Sequence, residues 1–313
     1  MGTYLVTGGA GFIGSHIAAA LVERGDTVRV LDNLSTGHLG NMESFSDRIE
    51  FFEADLLDAD AVARAVSGVE CVFHQAALAS VPRSVNRPLD TNAACVTGTV
   101  ILLDAARAAG VGRVVYAASS SAYGDQPTSS KRETDLPLPI SPYAAAKLAG
   151  EYYCRAFTAT YGLETVALRY FNVFGPRQDP KSEYAAVIPR FITAILSGEQ
   201  PVIYGDGQQS RDFTFVANVV HANLLAADAP NVAGQVLNIA NGTQFSLLVL
   251  LASINDLLGT CVQPRHDPPR AGDVRESLAD ITQARQLLGY ETQVGFQEGL
   301  RRSIDYYRTL VGR

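Results

Sequence analysis

The sequence lacks the features that mark nucleic-acid-binding and membrane-spanning proteins. No run of lysine and arginine is longer than two residues, and the formal net charge is −7, so the basic surface typical of a nucleic-acid binder is missing. No apolar stretch approaches the roughly 20 residues that a transmembrane helix needs. The first strand-like run already begins at Thr3, which leaves no room for a signal peptide. We therefore expect neither a nucleic-acid nor a membrane partner.

Cysteine and histidine patterns for disulfides or metals are also missing. The four cysteines are scattered without a CxxC pair, and the five histidines are isolated. We therefore expect no structural metal ion, and a reducing, cytoplasmic setting. What is present is ordinary for a globular protein. Of the 313 residues, 47% are hydrophobic and 18% are charged, which suits one large domain or two close ones.

Strand-like runs alternate with helical patterns over residues 1–172. After the run at Thr3, the predicted strands are "DTVRVLD", "IEFFEAD", "CVFHQAA", "GRVVYAAS" and "LETVALRYFN", and the predicted helices cover 58–67, 96–109 and 142–161. This alternation predicts an α/β fold with a doubly wound parallel sheet covered by helices on both faces. Over 173–313 the segments become irregular. We expect a smaller C-terminal α/β region there that supplies a binding cleft, with the chain crossing back to the first domain.

A glycine cluster lies between the first predicted strand and the first helix. Gly8, Gly11 and Gly14 are spaced GxxGxxG, which permits a tight turn and lets backbone N–H groups approach a pyrophosphate. A turn between strand and helix also favours glycine, but the next strand ends at Asp32, where a carboxylate binds ribose hydroxyls and repels a 2′-phosphate. The pattern therefore predicts a Rossmann-type domain that binds NAD in preference to NADP.

The segment "SPYAAAK" places Tyr143 and Lys147 four residues apart, on one face of a predicted helix. The pair occurs by chance on amphipathic helices, but here it follows a dinucleotide loop and lies downstream of Ser119. A free tyrosine has a pKa of about 10, so a base at neutral pH needs a shift of about 3 units, or roughly 4 kcal/mol. A nearby ammonium and a positive nicotinamide ring would favour the phenolate. We therefore predict that Tyr143 is a base, with Lys147 beside it.

Ser119 opens the segment "SSSAYGD", which follows the fifth predicted strand and holds no carboxylate before Asp125. Serines at strand ends often only cap a loop. Of the three serines, we favour Ser119 for a catalytic role, in which it would hydrogen-bond the substrate hydroxyl. Ser121 ranks second and Ser120 last.

The motifs "VTGGAGFIG", "SSSAYGD", "SPYAAAK" and "LRYFNVFGPRQ" resemble the extended short-chain dehydrogenase/reductase family, and in particular nucleotide-sugar 4-epimerases of the UDP-galactose 4-epimerase type. The resemblance runs from Thr3 to about Leu310. The segments "AALASVPRSV", "YAAVIPRF" and "GDVRESLAD" are similar to the branch that acts on UDP-N-acetylglucosamine and its galacto epimer.

This resemblance implies an NAD-dependent UDP-sugar 4-epimerase, an isomerase that works as a homodimer. Relatives that eliminate water or carbon dioxide carry an acid where this chain has Ser120 and Ser121, and an epimerase needs none because nothing leaves the sugar. A net oxidoreductase or dehydratase, an epimerase restricted to plain hexoses and a non-enzymatic NAD sensor remain as alternatives. Retention of Ser119, Tyr143 and Lys147 together argues against the sensor.

The resemblance also implies which residues bind the two ligands. The implied NAD contacts, beyond those already named, are Phe12, Ile13, Asn33, Asp55, Leu56, Ala76, Lys147 and Tyr170. The implied UDP-sugar contacts are Ser121, Asn172, Ala186, Val187, Val202, Tyr204, Arg211, Arg270, Asp273 and Ser277. The two arginines suit a diphosphate because guanidinium matches phosphate oxygens in pairs.

Two positions distinguish this chain from its relatives. Ser277 stands where relatives restricted to plain hexoses carry a bulky aromatic residue, so it leaves room for an N-acetyl group at the sugar C2. A small residue in a turn is the simpler explanation, yet we favour the amino-sugar interpretation. Cys95 stands where relatives usually carry an asparagine that supports the cofactor strand, with Asn92 one turn earlier.

Overall fold

The structure is a computed structural model that describes residues 2–126, 130–180, 186–269 and 275–311. Its strands are β1 (Thr3–Thr7), β2 (Thr27–Asp32), β3 (Ile49–Glu53), β4 (Cys71–His74), β5 (Arg113–Ser119), β6 (Glu164–Tyr170), β7 (Val173–Phe174), β8 (Val202–Tyr204), β9 (Ser210–Asp212), β10 (Thr214–Phe215), β11 (Gln235–Ile239), β12 (Gln244–Ser246), β13 (Arg265–Asp267) and β14 (Glu276–Ser277).

The helices cover both halves of the chain. They are α1 (Phe12–Glu23), α2 (Ala59–Val66), α3 (Val81–Asn86), α4 (Pro88–Asn92), α5 (Gly98–Ala108), α6 (Pro142–Tyr161), α7 (Val187–Leu196), α8 (Val216–Asp228), α9 (Leu247–Leu258), α10 (Thr282–Leu288) and α11 (Phe296–Val311). A π-helical turn over Ala93–Thr97 joins α4 to α5. Among the described helices, none combines the length and the apolar character needed to cross a membrane.

A seven-stranded parallel sheet forms the centre of the molecule, in the order β11-β6-β5-β4-β1-β2-β3. Its inner strands are almost continuously buried, as in the "RVVYAAS" run of β5, because helices cover both faces. One face packs against α1, α8 and α10, and the other against α2, α5 and α6. The predicted doubly wound α/β fold is therefore confirmed.

Beyond residue 172 the chain is more regular than the sequence suggested. Helices α7, α9 and α11 form a third hydrophobic cluster with β7, β8 and β10, whereas α8 and β11 pack into the central sheet. The irregular appearance of the sequence comes from loops that separate short elements, which hide the helical periodicity. The boundary at residue 172 stays a prediction.

Helix α6 lies unusually close to the sheet, and glycine explains why. A Cβ atom at Gly150 would lie 2.1 Å from the Tyr116 hydroxyl oxygen on β5. That hydroxyl donates a 3.2 Å hydrogen bond to the Lys147 carbonyl, one turn earlier on the same helix. Ser141 caps the start of α6 by accepting from the Ala144 N–H at 3.1 Å. The start of α6 is thereby fixed against the carboxyl end of β5.

Candidate active site

The loop after β1 requires glycine at two positions, because a side chain there would clash with neighbouring backbone atoms. Gly8 has a φ of 69°, and a Cβ atom there would lie 2.7 Å from the Ala76 backbone. A Cβ atom at Gly14 would lie 2.2 Å from the Gly8 carbonyl oxygen. Gly11 precedes α1 without a capping side chain, which leaves the first N–H groups of the helix for an anion. The loop therefore fits a dinucleotide pyrophosphate.

Asp32 ends β2 and fixes the loop from the neighbouring strand. Its carboxylate accepts from the Ala10 N–H at 3.0 Å and from the Leu34 N–H at 2.8 Å. Burial raises its pKa, and both N–H groups counter that rise. Asn33 beside it donates to the Asp55 carboxylate at 2.6 Å. These two acids therefore lie at the adjacent ends of β2 and β3, where an adenosine would bind.

The remaining predicted cofactor residues surround the same sheet edge. Phe12 and Ile13 open α1, and Leu56 is buried after β3. The Ala76 N–H donates to the Thr7 hydroxyl at 3.3 Å, next to Gly8. The Tyr170 side chain is buried, and its hydroxyl lies 3.2 Å from the Gln75 amide oxygen and accepts from the Asn223 side-chain N–H at 2.8 Å. Sequence reasoning missed Gln75 and Asn223, because the two residues lie 148 positions apart in the chain.

The three predicted catalytic residues lie together at the carboxyl end of β5. The Ser121 hydroxyl and N–H both donate to the Ser119 hydroxyl oxygen, at 2.8 and 3.2 Å. Ser119 in turn hydrogen-bonds the Tyr143 side chain. Lys147, which is 3% exposed, places its ammonium 4.9 Å from the centroid of the Tyr116 ring. The two serine hydroxyls thus form a chain that ends at the tyrosine.

Burial dominates the electrostatics of this group. It raises the pKa of Tyr143, which the hydrogen bond from Ser119 partly counters, and it lowers the pKa of Lys147. Both shifts favour the neutral forms, so deprotonation of the tyrosine requires an additional positive charge nearby. A nicotinamide ring bound at this edge of the sheet would supply that charge.

A buried polar chain behind the site links the π-helical turn to the glycine loop. The Thr99 hydroxyl donates to the Cys95 carbonyl at 2.8 Å, so it accepts from His74 Nε2 at 2.9 Å. His74 Nδ1 therefore accepts from the Thr7 hydroxyl at 2.7 Å. Burial lowers the pKa of His74 to about 3, which keeps the ring neutral. Cys95 itself is buried behind the site, at 1% exposed.

Predicted substrate residues from two separate strands meet in one small sheet. Ser277 on β14 is in register with Arg211 on β9. Arg211 donates to the Ser210 carbonyl at 2.8 Å and to the Arg275 carbonyl at 3.3 Å. Asn172 adopts a φ of 36° and donates to the Asp212 carbonyl at 3.3 Å. The structure thus brings Asn172, Arg211 and Ser277 together.

Other predicted substrate residues lie on different elements. Ala186 and Val187 form the start of α7, and Val202 and Tyr204 lie on β8, which pairs with β13. The Tyr204 carbonyl accepts from Gln209 at 2.7 Å, which ties β8 to the segment before β9. Two predicted residues, Arg270 and Asp273, lie outside the described residues.

Known proteins resemble this chain over nearly its whole length. The model of the "NAD dependent epimerase/dehydratase family" matches residues 4–240. A UDP-glucose 4-epimerase of Mycolicibacterium smegmatis is 42% identical over 309 residues, which are 97% of this chain and 98% of that protein.

Two solved structures have closely similar folds. A UDP-N-acetylglucosamine 4-epimerase from Methanobrevibacter ruminantium in complex with UDP-N-acetylmuramic acid has a TM-score of 0.95 at 41% identity, covering 99% of each chain. A UDP-glucose 4-epimerase from Thermus thermophilus in complex with NAD has a TM-score of 0.90 at 37% identity, covering 98% of this chain and 99% of that one.

Proposed function

The chain belongs to the NAD dependent epimerase/dehydratase family and is an NAD-dependent UDP-sugar 4-epimerase, and we propose that it accepts the acetylated UDP-hexoses as well as the plain ones. The acetylated pair is UDP-N-acetylglucosamine and its C4 epimer, and the plain pair is UDP-glucose and UDP-galactose. The observation that supports the epimerase chemistry is the junction of β5 with α6. Ser119, Tyr143 and Lys147 meet there without a carboxylate in the Ser119–Tyr123 segment.

The proposed chemistry begins with proton removal from the C4 hydroxyl by Tyr143. Ser119 hydrogen-bonds the same hydroxyl, and the Ser121 hydroxyl, which donates to Ser119, orients it. Lys147 stabilises the phenolate from its buried position one helical turn away. When bound at this edge of the sheet, NAD would supply a reversible hydride acceptor for C4, so that the reaction would involve no net oxidation. The 4-keto sugar turns about its diphosphate between the two transfers, and Tyr143 returns the proton.

The residues at the glycine loop are proposed to hold the cofactor, and those of the small sheet the UDP-sugar. Asp32 binds the adenosine ribose, and the N–H groups after Gly11 bind the pyrophosphate. Arg211 binds the diphosphate of the substrate. We place the cofactor domain over 1–172 and the UDP-sugar region over 173–313, with α8 and β11 returning to the central sheet.

Acceptance of acetylated sugars rests on the small side chain at residue 277. Ser277 is half-buried beside Arg211. Since we propose that Arg211 binds the diphosphate, we place the Ser277 side chain next to the point where the sugar joins it. A serine leaves space for the C2 acetamido group, but space alone does not force its use. Enzymes restricted to plain hexoses would not need that space.

The test is incubation with UDP-glucose and UDP-N-acetylglucosamine in separate tubes, with the products read by proton NMR. We expect a new galacto anomeric signal from both substrates, and no accumulation of NADH absorbance. Turnover of UDP-glucose alone would show that the chain does not accept acetylated sugars, and its assignment as a 4-epimerase would stand. Net formation of NADH, or loss of the C6 hydroxyl, would indicate an oxidoreductase or a dehydratase.

We further propose a homodimer that forms through α6 and the helix after the π-helical turn. Tyr152 and Tyr153 on α6 are 56% and 42% exposed, so two adjacent aromatic rings on this helix face solvent. We place the protein in the cytoplasm, in keeping with its four free cysteines.

A further inference from the structure

Asp212, the last residue of β9, is a fully buried carboxylate that no predicted role accounts for. Its oxygens accept from three backbone N–H groups, those of Asn241 at 2.9 Å, Gly242 at 3.0 Å and Ala279 at 3.3 Å. The N–H of Thr243 adds a fourth interaction. The carboxylate thus supplies hydrogen-bond acceptors for buried N–H groups in segments that have no regular backbone pairing.

The segments joined by this carboxylate are the walls of the proposed sugar site. Residues 241–243 follow β11 at the carboxyl edge of the central sheet, and Ala279 follows Ser277 by two positions. Arg211 immediately precedes Asp212, and the Asp212 carbonyl accepts from the Asn172 side chain at 3.3 Å. A single side chain thus connects elements that come from distant parts of the chain.

We propose that Asp212 is a positioning residue for substrate binding, whose ionised carboxylate holds Arg211, Asn172 and Ser277 in the arrangement that binds a UDP-sugar. This inference rests on the proposed function, because it assumes that these residues contact the UDP-sugar. In the described part of the chain the hydrogen-bond partners of the carboxylate are backbone N–H groups, so we assign it no part in the C4 chemistry.

The position of Asp212 makes substrate binding sensitive to pH. A carboxylate accepts hydrogen bonds on both oxygens, whereas a protonated acid presents an O–H donor to one of the N–H groups. Burial raises the pKa of Asp212 to about 6, against the effect of its backbone donors. The acid form therefore accumulates as the pH falls through about 6, and the affinity for UDP should fall with it.

Other ionisable groups lie around Asp212. Tyr290 packs near it, donates its hydroxyl to the Ala240 carbonyl at 2.9 Å, and has a pKa raised by burial. Asp280 follows Ala279, and hydrogen bonds from Thr282, with a smaller contribution from Arg132, lower its pKa. Glu276 on β14 is exposed. Arg211 lies on the same strand and stays charged at any pH of interest.

The first experiment compares Asp212→Asn with Asp58→Asn as the matched control. The asparagine has the same shape, but its NH₂ group faces a backbone donor. Asp58 also accepts a backbone hydrogen bond, from the Ala61 N–H at 3.0 Å, but it caps α2, remote from β9. UDP alone is the probe, and its Kd is measured by calorimetry at about pH 8 with the NAD content checked.

We expect the Kd of UDP to rise about 10-fold or more in Asp212→Asn and to stay unchanged in Asp58→Asn. The KM of UDP-glucose should rise similarly, with kcat changed less than about threefold. Unchanged UDP binding in a folded Asp212→Asn variant would overturn the inference. So would a loss confined to kcat.

A second measurement uses the wild-type chain, so it decides the matter even if Asp212→Asn does not fold. The ligand is UDP-glucose, because the terminal phosphate of free UDP itself ionises at about pH 6 and the diphosphate of UDP-glucose does not. The Kd of UDP-glucose should rise as the pH is lowered from about 8 to about 5.5, with the midpoint near 6. A flat profile overturns the inference. If UDP-glucose binds with this profile but no sugar is epimerised, the proposed reaction is wrong and the role of Asp212 stands. If UDP-glucose does not bind at all, both fail.

Discussion

At the scale of single residues, the direction of the hydrogen bonds between the two serines characterises the proposed site. Ser121 donates to Ser119 twice, so the Ser119 hydroxyl proton is left to bond Tyr143 or a substrate oxygen. A carboxylate in place of Ser121 would accept from Ser119 and reverse this direction. The serine pair therefore suits a reaction that only moves a proton and a hydride at C4.

We predict that Tyr143→Phe removes the base and keeps the cofactor. Turnover should fall by a factor on the order of 10² to 10⁴, because the phenolate is the group that accepts the proton. Initial rates with UDP-glucose, together with the NAD content of the purified protein, check this. Tyr161→Phe, an exposed tyrosine on the same helix, is the control and should keep full activity. Near-normal turnover in Tyr143→Phe would remove this residue from the mechanism.

We predict that Ser277→Tyr narrows the enzyme to plain hexoses. In the proposed mechanism the sugar binds in two orientations during the cycle. Its C2 substituent therefore moves through the space next to residue 277. Overpacking of this kind costs about 1–3 kcal/mol, or roughly 5- to 150-fold in rate. The measurement is kcat/KM for UDP-glucose and UDP-N-acetylglucosamine in both proteins, with Ser277→Ala as the control. Equal losses on both sugars in Ser277→Tyr would show that the residue is only structural.

The residues that sequence predicts well are those whose partners lie close in the chain. Tyr143 and Lys147 are four positions apart on one helix, and the glycine spacing fixes the loop after β1. Asp212 could not be found in this way, because its N–H partners lie 29 to 67 positions away. The inward bond of Tyr170 to Asn223, 53 positions away, escaped for the same reason.

At the scale of elements, α6 positions two of the residues that we propose for catalysis. It carries Tyr143 and Lys147, and its approach to β5 depends on Gly150. Its bounds at Pro142–Tyr161 agree with the predicted helix over 142–161, because Ser141 and Gly162 give clear start and stop signals. The helices beyond residue 172 lack such clear signals in many cases, which explains why the sequence suggested irregular structure there.

We predict that Gly150→Ala displaces α6 from the sheet. The new methyl group would clash with the Tyr116 hydroxyl and ring, 2.1 and 2.5 Å away. The free energy of unfolding should fall by about 1–3 kcal/mol, despite the higher helix propensity of alanine. Turnover should fall as well, since the Lys147 carbonyl loses its fixed partner. Denaturant unfolding and kcat measure the two effects.

The control for this variant is Ala156→Gly on the exposed side of α6. It should cost about 1 kcal/mol through helix propensity and leave kcat unchanged. If Gly150→Ala were more stable than the wild type and fully active, the close approach of α6 to β5 would not matter for catalysis.

At the scale of the whole molecule, the exposed rings of Tyr152 and Tyr153 on α6 lie on the surface opposite the sheet. A second copy that packs on this surface would cover them without blocking the carboxyl edge, where both ligands are proposed to bind. Assembly and catalysis would then share one helix and use different faces of it.

We predict a homodimer at micromolar concentration. Light scattering should give twice the mass of the 33.4 kDa chain. The double change of Tyr152→Glu and Tyr153→Glu should produce monomers, because it places charges in an apolar interface. Val249→Glu on α9, which replaces another exposed apolar residue, should leave the dimer intact. A wild-type monomer, or a mutant dimer, would refute this arrangement.

The position of β11 at the edge of the central sheet has a consequence during synthesis on the ribosome. Residues Val166 to Tyr170 of β6 pair with Gln235 to Ile239, which are translated much later. At about 5–20 residues per second, β6 is made roughly 3 to 14 seconds before its partner strand. During that interval β6 presents unpaired N–H and C=O groups to other nascent chains. The central sheet can therefore be completed only after β11, nearly halfway through the UDP-sugar region, has been translated. This delay is the period in which aggregation and chaperone binding compete with folding.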